Sequence, residues 1–284
     1  MGRMRKITYK ELRALFGRAE SEKFAVPAFN YSDMWDMRAI VEAAEALHAP
    51  VILMADPPTY RELGMDMCCC LAETFIERAT VPVIHHLDHS ESPEDCISAI
   101  DSGFTSVMMD ASASPLEQNI SVVKRVVEYA HLKGVFVEAE IGRIKSTDEK
   151  NSDESFRHED AARLADETGC DLLAIGIGNA HGFYKGEPRI DHDKLRDVDN
   201  ALDIPLVLHG GTGIPRATVE KCIDGGIRKV NVGTAVYCAY MNGARKKLMA
   251  GENQFTYDVM HEAMDEVKKT ISEWIRICRA DGKA

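Results

Sequence analysis

Three of the ten histidines stand where a metal could use them: His89 in H-H-L-D-H-S, His181 in G-N-A-H-G and His209 in V-L-H-G-G-T-G. Each lies at or just past the end of an apolar, strand-like run. In an α/β barrel the carboxyl ends of parallel strands converge on one rim. Three imidazoles on that rim make an open zinc site, with a coordination position left for substrate. The other seven, His48, His85, His86, His131, His158, His192 and His261, read as structural or surface residues. His85 and His86 alternate across one strand, so one of them can stand behind a ligand.

Carboxylates surround these positions. Asp88 directly precedes His89. Beside a dication it would be ionised and able to pass a proton to or from a substrate oxygen; the other reading is that it only orients a ligand. Asp110 ends the fourth strand-like run, and Glu138 and Glu140 alternate with Ala139 on the fifth, which puts both glutamates on one face. Three carboxylates near one rim repel unless a cation or protons intervene. They either hold a second metal, position the first ligands, or form a hydrogen-bonded polar layer inside the barrel.

Two glycine-bearing loops have anion chemistry. Gly210-Gly211-Thr212-Gly213 follows the seventh run, and Asn231-Val232-Gly233-Thr234 closes the eighth. Barrels often bind phosphate after strands seven and eight, where backbone N–H groups and a helix N-terminus face the anion. Lys185, in G-F-Y-K-G-E-P, adds charge there or is a solvated loop lysine.

The elements that must position these groups alternate from end to end. The strand-like runs are Ala25–Asn30, Pro50–Met54, Val81–Leu87, Phe104–Asp110, Val135–Glu140, Asp171–Ile177, Pro205–His209 and Lys229–Val232. Amphipathic helices are predicted over Met34–Ala49, Pro93–Ser102, Leu116–Lys133, His158–Thr168 and Pro215–Asp224, the first after the capping signal Ser32-Asp33 and the others followed by glycine. Eight strand–helix units predict a closed (β/α)₈ barrel of α/β class. An open doubly wound sheet is the runner-up, but no glycine follows Asn30 to build its dinucleotide turn. Residues 1–284 form a single domain in this reading, with no linker. Extra helices at Thr8–Glu20 and Tyr257–Arg279 cap the barrel or meet another subunit. The most polar stretch, Lys145–Asp160, follows the fifth run on the same rim and is expected to act as a lid.

Composition narrows the function. With 34 Lys and Arg against 46 Asp and Glu, the net charge is −12, which repels nucleic acid and anionic membranes. No apolar stretch reaches the length of a membrane span. The N-terminus lacks a secretory pattern, and Lys6 breaks a myristoylation motif. Eight cysteines without C-x-x-C pairing read as reduced thiols of a cytoplasmic protein.

With these residues placed, the chain resembles the class II ketose-bisphosphate aldolases, in style the tagatose-bisphosphate branch. The matching segments, in order, are V-P-A-F-N, H-L-D-H, S-V-M-M-D, V-E-A-E-I-G, G-N-A-H-G-F-Y-K-G-E-P, V-L-H-G-G-T-G-I-P and K-V-N-V-G-T. The resemblance implies Zn²⁺ on His89, His181 and His209, with Asp88 as proton donor and acceptor. It implies that Asn30, Gly182, Gly210, Gly211, Thr212, Asn231, Val232, Gly233 and Thr234 hold a dihydroxyacetone phosphate half. A monovalent cation, Na⁺ or K⁺, would lie near that phosphate, and Asp110 and Glu140 match a second metal position. The implied partner is a small-molecule sugar phosphate, and the implied assembly a homodimer or homotetramer. The implied reaction is reversible cleavage of a ketose phosphate, such as fructose or tagatose 1,6-bisphosphate, to dihydroxyacetone phosphate and an aldehyde. A Schiff-base mechanism finds no lysine on the sixth run, and Lys229 starts the eighth at the wrong end.

Departures from the family pattern bear on substrate. The lid reads K-S-T-D-E instead of a glycine-hinged G-G-x-E-D, which puts Asp148 in the proton-exchange place, with Glu149 competing. After the second run, A-D-P-P places Asp56 where the family often has a serine near the distal phosphate. A carboxylate there repels a second phosphate, so the aldehyde half is expected to be unphosphorylated or differently charged. The competing readings are a metal-dependent sugar-phosphate epimerase or hydrolase on the same fold, and a non-catalytic sugar-phosphate-binding paralogue.

Overall fold

Eight β-strands close into one parallel barrel in the order β1 to β8, β1 pairing with both β2 and β8. The computed structural model describes residues 6–147, 156–251 and 254–284. The strands are β1 (Val26–Asn30), β2 (Val51–Ala55), β3 (Val83–Ser90), β4 (Ser106–Met109), β5 (Phe136–Ile141), β6 (Leu172–Ile175), β7 (Leu206–Leu208) and β8 (Ile227–Val232). Nearly all their residues are buried, because barrel strands face side chains on the inside and helices on the outside. All eight expected strands appear, with ends displaced by at most three residues.

The helices are α1 (Tyr9–Glu22), α2 (Met34–Ala46), α3 (Pro57–Leu63), α4 (Met65–Ile76), α5 (Pro93–Ser102), α6 (Leu116–Lys133), α7 (His158–Thr168), α8 (His192–Asp199), α9 (Arg216–Asp224), α10 (Thr234–Met249) and α11 (Thr256–Ile277). α5, α6 and α7 keep the predicted bounds, ending on left-handed Gly103, Gly134 and Gly169. α2 starts at the Asp33 cap but stops at Ala46, because His48 turns left-handed and Ala49 N–H bonds back to Ala44. The sequence reading did not delimit α3, α4, α8 or α10. α3 opens on Pro57-Pro58, which reads equally well as a turn.

The terminal helices have distinct places. α1 is capped by Thr8 and Glu11 and stacks Phe16 on Phe136 of β5. Its Glu20 reaches the fully buried Arg228 of β8. α11 packs along α2 and α10, and Ala25 N–H bonds Cys278 O just before β1 begins. All eight cysteines are free thiols; six are buried, Cys70 is exposed and Cys238 half-buried. No helix among the described residues is long and apolar enough to cross a membrane.

Candidate active site

The three histidines converge. One ligand nitrogen from each of His89, His181 and His209 lies within 4.8 Å of the others. His89 follows Asp88 at the end of β3, and strand neighbours ordinarily point to opposite faces. Here the β3–β4 register shifts between Leu87 and Ser90, and His89 takes φ 49°. This bulge aims Asp88 and His89 into one cavity. His209 sits just beyond β7, and His181 in the loop after β6. His181 is held at both backbone groups by the base of the polar loop: its N–H donates to Lys145 O and its carbonyl accepts from Thr147 N–H, both at 2.8 Å.

The cavity is about 270 Å³ and opens at the carboxyl ends of the strands. Of the residues expected to act there, Asn30, Asp88, His89, His181, Gly182, His209, Gly210, Thr212, Asn231, Gly233 and Thr234 line it. Gly211, Val232 and Lys185 do not. The Gly211 N–H is spent on Asn231 O at 2.9 Å, and the Val232 side chain is buried in the core. Asp148 lies outside the described residues. Two of the lining glycines show why no side chain fits: a Cβ on Gly210 (φ 64°) would run into the Ala180 carbonyl, and one on Gly233 would meet Asn30 Oδ1 at 2.5 Å. α10 begins beside this wall without a side-chain cap. Thr212 Oγ1 accepts from Ala235 N–H at 3.1 Å, tying the two loops together, and the partial positive charge of the helix end suits an anion.

Asp88 is clamped. Asn30 Nδ2 donates to its Oδ2 at 3.0 Å, and Asn231 Nδ2 to its Oδ1 at 3.3 Å. Burial would raise this carboxyl, but the positive charge on His89 and the other neighbours outweigh it and hold it below the usual range. Despite its own burial, His89 is raised to about 10 by Asp88, Asp110 and Glu140. Burial lowers His181 to about 4 and His209 well below the usual value, with the His89 charge adding to both. Two of the three imidazoles are thus neutral, and positive charge is favoured at the third.

Asp110 and Glu140 form a second group with His89, again with ligand atoms within 4.8 Å. Asp110 Oδ2 lies 3.1 Å from His89 Nδ1. Burial opposes ionisation of Asp110, yet the His89 bond takes it down to about 2; burial and Asp110 push Glu140 up to about 8. Glu138 separates from this group. It pairs with Lys229 Nζ at 2.6 Å and His209 Nε2 at 2.8 Å, in the polar layer beneath. β8 starts at Ile227, so Lys229 lies in mid-strand and not at the strand's start as expected. It remains unsuited to Schiff-base chemistry because it is ion-paired to Glu138 and does not line the cavity.

The donor set fits a metal. Unpartnered buried polar atoms are rare and call for an explanation. Among the described residues five buried side-chain atoms lack a hydrogen-bond partner; His181 Nε2, Glu140 Oε2 and Asn231 Oδ1 lie at this site, Asn119 Oδ1 and Arg228 Nη2 elsewhere. Sequence reasoning flagged Asp56 but missed its partner: Tyr237 O–H donates to Asp56 Oδ2 at 2.8 Å, and both line the cavity. Tyr237 sits one turn after Thr234, a spacing that would have pointed to it had α10 been placed.

The family model described as fructose-bisphosphate aldolase class-II matches residues 10–283. The chain is 37% identical to a fructose-bisphosphate aldolase of Geobacillus stearothermophilus, covering 96% of this chain and 98% of that one. The crystal structure of the YdjI aldolase from Escherichia coli K12 superposes with TM-score 0.85 at 31% identity, over 96% of this chain and 98% of that one. The fructose-bisphosphate aldolase of Campylobacter jejuni shares the fold, with TM-score 0.86 at 22% identity and complete coverage of both chains. The chain belongs to the class II fructose-bisphosphate aldolases, a family of metal-dependent carbon–carbon lyases.

Proposed function

We propose that this chain is a zinc-dependent aldolase that reversibly cleaves a ketose phosphate, of the fructose or tagatose 1,6-bisphosphate kind, to dihydroxyacetone phosphate and an aldehyde. The observation that carries this reading is Asp88, clamped by two amides, beside three convergent imidazoles in one cavity. His89, His181 and His209 would hold the ion, which when bound supplies Lewis-acid stabilisation of the charge left beside the ketone. Asp88 accepts the proton of the hydroxyl whose carbon becomes the aldehyde. The bond between that carbon and its neighbour then breaks, and the electron pair stays on the carbon next to the ketone. In synthesis Asp88 returns the proton. Asn30 and Asn231 keep the Asp88 oxygens aimed.

The phosphate of the dihydroxyacetone half lies against Gly182, Gly210, Thr212, Gly233 and Thr234, at the positive end of α10. A Na⁺ or K⁺ ion beside it, and a second metal position at Asp110 and Glu140, belong to the same reading. Asp148 is assigned proton exchange on the dihydroxyacetone phosphate carbon. We assign the chain one domain, a cytoplasmic location and a homodimeric or homotetrameric state. The last is supported by exposed Met241, Leu248, Met249, Phe255 and Tyr257 near one another in sequence.

A coupled assay for dihydroxyacetone phosphate release, run on a panel of ketose mono- and bisphosphates, tests the reading. Release that a chelator abolishes and zinc restores is the expected outcome. Zinc binding without release from any ketose would transfer the site to the epimerase or binding-protein reading.

A further inference from the structure

Beneath the three histidines the barrel interior holds a closed polar chain that no cleavage step uses. His209 Nε2 lies 2.8 Å from Glu138 Oε1. The other carboxylate oxygen accepts from Lys229 Nζ at 2.6 Å. Lys229 Nζ is also 3.4 Å from His86 Nε2, and His86 Nδ1 is 2.8 Å from Ser106 Oγ. All five side chains are buried. They come from β3, β4, β5, β8 and the residue after β7, so only closure of the barrel assembles them.

The hydrogen-bond directions follow from donor and acceptor chemistry. An ammonium only donates and an ionised carboxylate only accepts. Glu138, facing Lys229, is therefore an acceptor at both oxygens, and His209 must carry its proton on Nε2. That leaves Nδ1 as the acceptor nitrogen, with Asn231 Nδ2 at 3.4 Å from it and 3.2 Å from Nε2. Nδ1 is the atom facing the other histidines, 2.8 Å from His89 Nε2. Lys229 matters because, donating to the second oxygen, it holds Glu138 as an acceptor in place against Nε2. The contact between His86 and Ser106 holds Lys229 from its other side.

We propose that the Glu138–Lys229 pair is a tautomer lock: it fixes the His209 proton on Nε2, presents Nδ1 to the metal and so sets the metal affinity of the site. Glu138 and Lys229 are positioning residues, and the inference rests on His209 being a metal ligand as assigned above.

The lock makes an isosteric substitution behave unexpectedly. In Glu138→Gln the amide offers one acceptor and one donor end. Lys229 can only donate, so it claims the amide oxygen and turns the NH₂ toward His209 Nε2, which forces the imidazole proton onto Nδ1. Zinc affinity, read by competition with a chromophoric chelator, is expected to fall about 10- to 100-fold. The ¹⁵N imidazole resonances of His209 in metal-free protein should change from the Nε2–H to the Nδ1–H pattern. Adding Lys229→Met frees the amide to rotate its oxygen toward His209. The double variant is expected to recover the Nε2–H pattern and much of the lost affinity, which a purely structural role would not produce.

A folded double variant that binds zinc no better than E138Q overturns the lock. So does an Nδ1–H pattern for His209 in the metal-free parent, a measurement that needs no variant to fold. If the parent binds no metal at all, the metal-site reading fails, while the tautomer measurement still decides the lock on its own.

Discussion

Asp88 and His89 face the same cavity although they are neighbours on one strand. The register shift in β3 and the left-handed backbone at His89 make this possible. A left-handed non-glycine residue costs on the order of 1–3 kcal/mol and persists where its surroundings over-determine it. At His89 those surroundings are the contacts to Asp110 and His209. The strain sets the proposed proton acceptor beside a proposed metal ligand, where a regular strand would have turned one of them outward.

Asp88→Asn is the first consequence. The substitution keeps the size and removes the proton acceptor. Turnover is expected to fall about 10²- to 10⁴-fold, while the stoichiometry of bound zinc stays at the parent level. Unchanged turnover would reduce Asp88 to an orienting role.

The Asp56–Tyr237 pair bears on substrate choice. Asp56 is fixed by Thr59 N–H at 3.1 Å and by Tyr237 O–H, both neutral donors, so it presents a negative charge at the cavity. It follows β2, opposite β6 and the loop bearing Gly182, and meets α10 one turn beyond Thr234. Like charges juxtaposed in a binding site are costly. The expected result is that a ketose 1-phosphate is cleaved as efficiently as the matching 1,6-bisphosphate. Asp56→Ser should raise kcat/KM for the bisphosphate by about tenfold or more, equivalent to about 1.4 kcal/mol. A strong preference of the parent enzyme for the bisphosphate would remove Asp56 as a specificity determinant.

A pH effect is expected at the opposite end of the barrel. Arg228 is fully buried, and its Nε donates to Glu20 Oε2 at 2.7 Å. Burial resists ionisation of Glu20, but Arg228 and Lys23 outweigh it and hold the carboxyl below its ordinary 4.5. A depressed carboxyl contributes stability that is present above its unfolded value and lost as pH falls through the folded one. Glu20 is half-exposed, which screens the pair. Glu20→Gln keeps an acceptor for Arg228 Nε but loses the charge, and should cost about 1 kcal/mol or less at neutral pH. The variant should also lose less further stability than the parent on acidification below 4.5. Urea unfolding of both proteins across that range decides it, and parallel pH profiles would count against the pair.

Much of this molecule was legible in local pattern. Helix-then-glycine units repeated with strand-like runs, and such periodicities survive in a linear chain because each reflects one residue's neighbours along its own element. His89, His181, His209, Asp88 and the Gly210 and Gly233 loops were found at strand ends, where barrel geometry sends side chains to one rim. What stayed hidden depends on partners far apart in sequence. Glu138 and Glu140 are identical by type and share one strand face, yet Glu138 lies beside Lys229 and His209 while Glu140 lies beside Asp110. Tyr237 had no visible role until Asp56 was brought to it. The sequence by itself determined the barrel and the inventory of chemical groups, since both follow from residue type and spacing. Only the tertiary structure decided which carboxylate serves which histidine, because closing eight strands sets the pairings across the barrel.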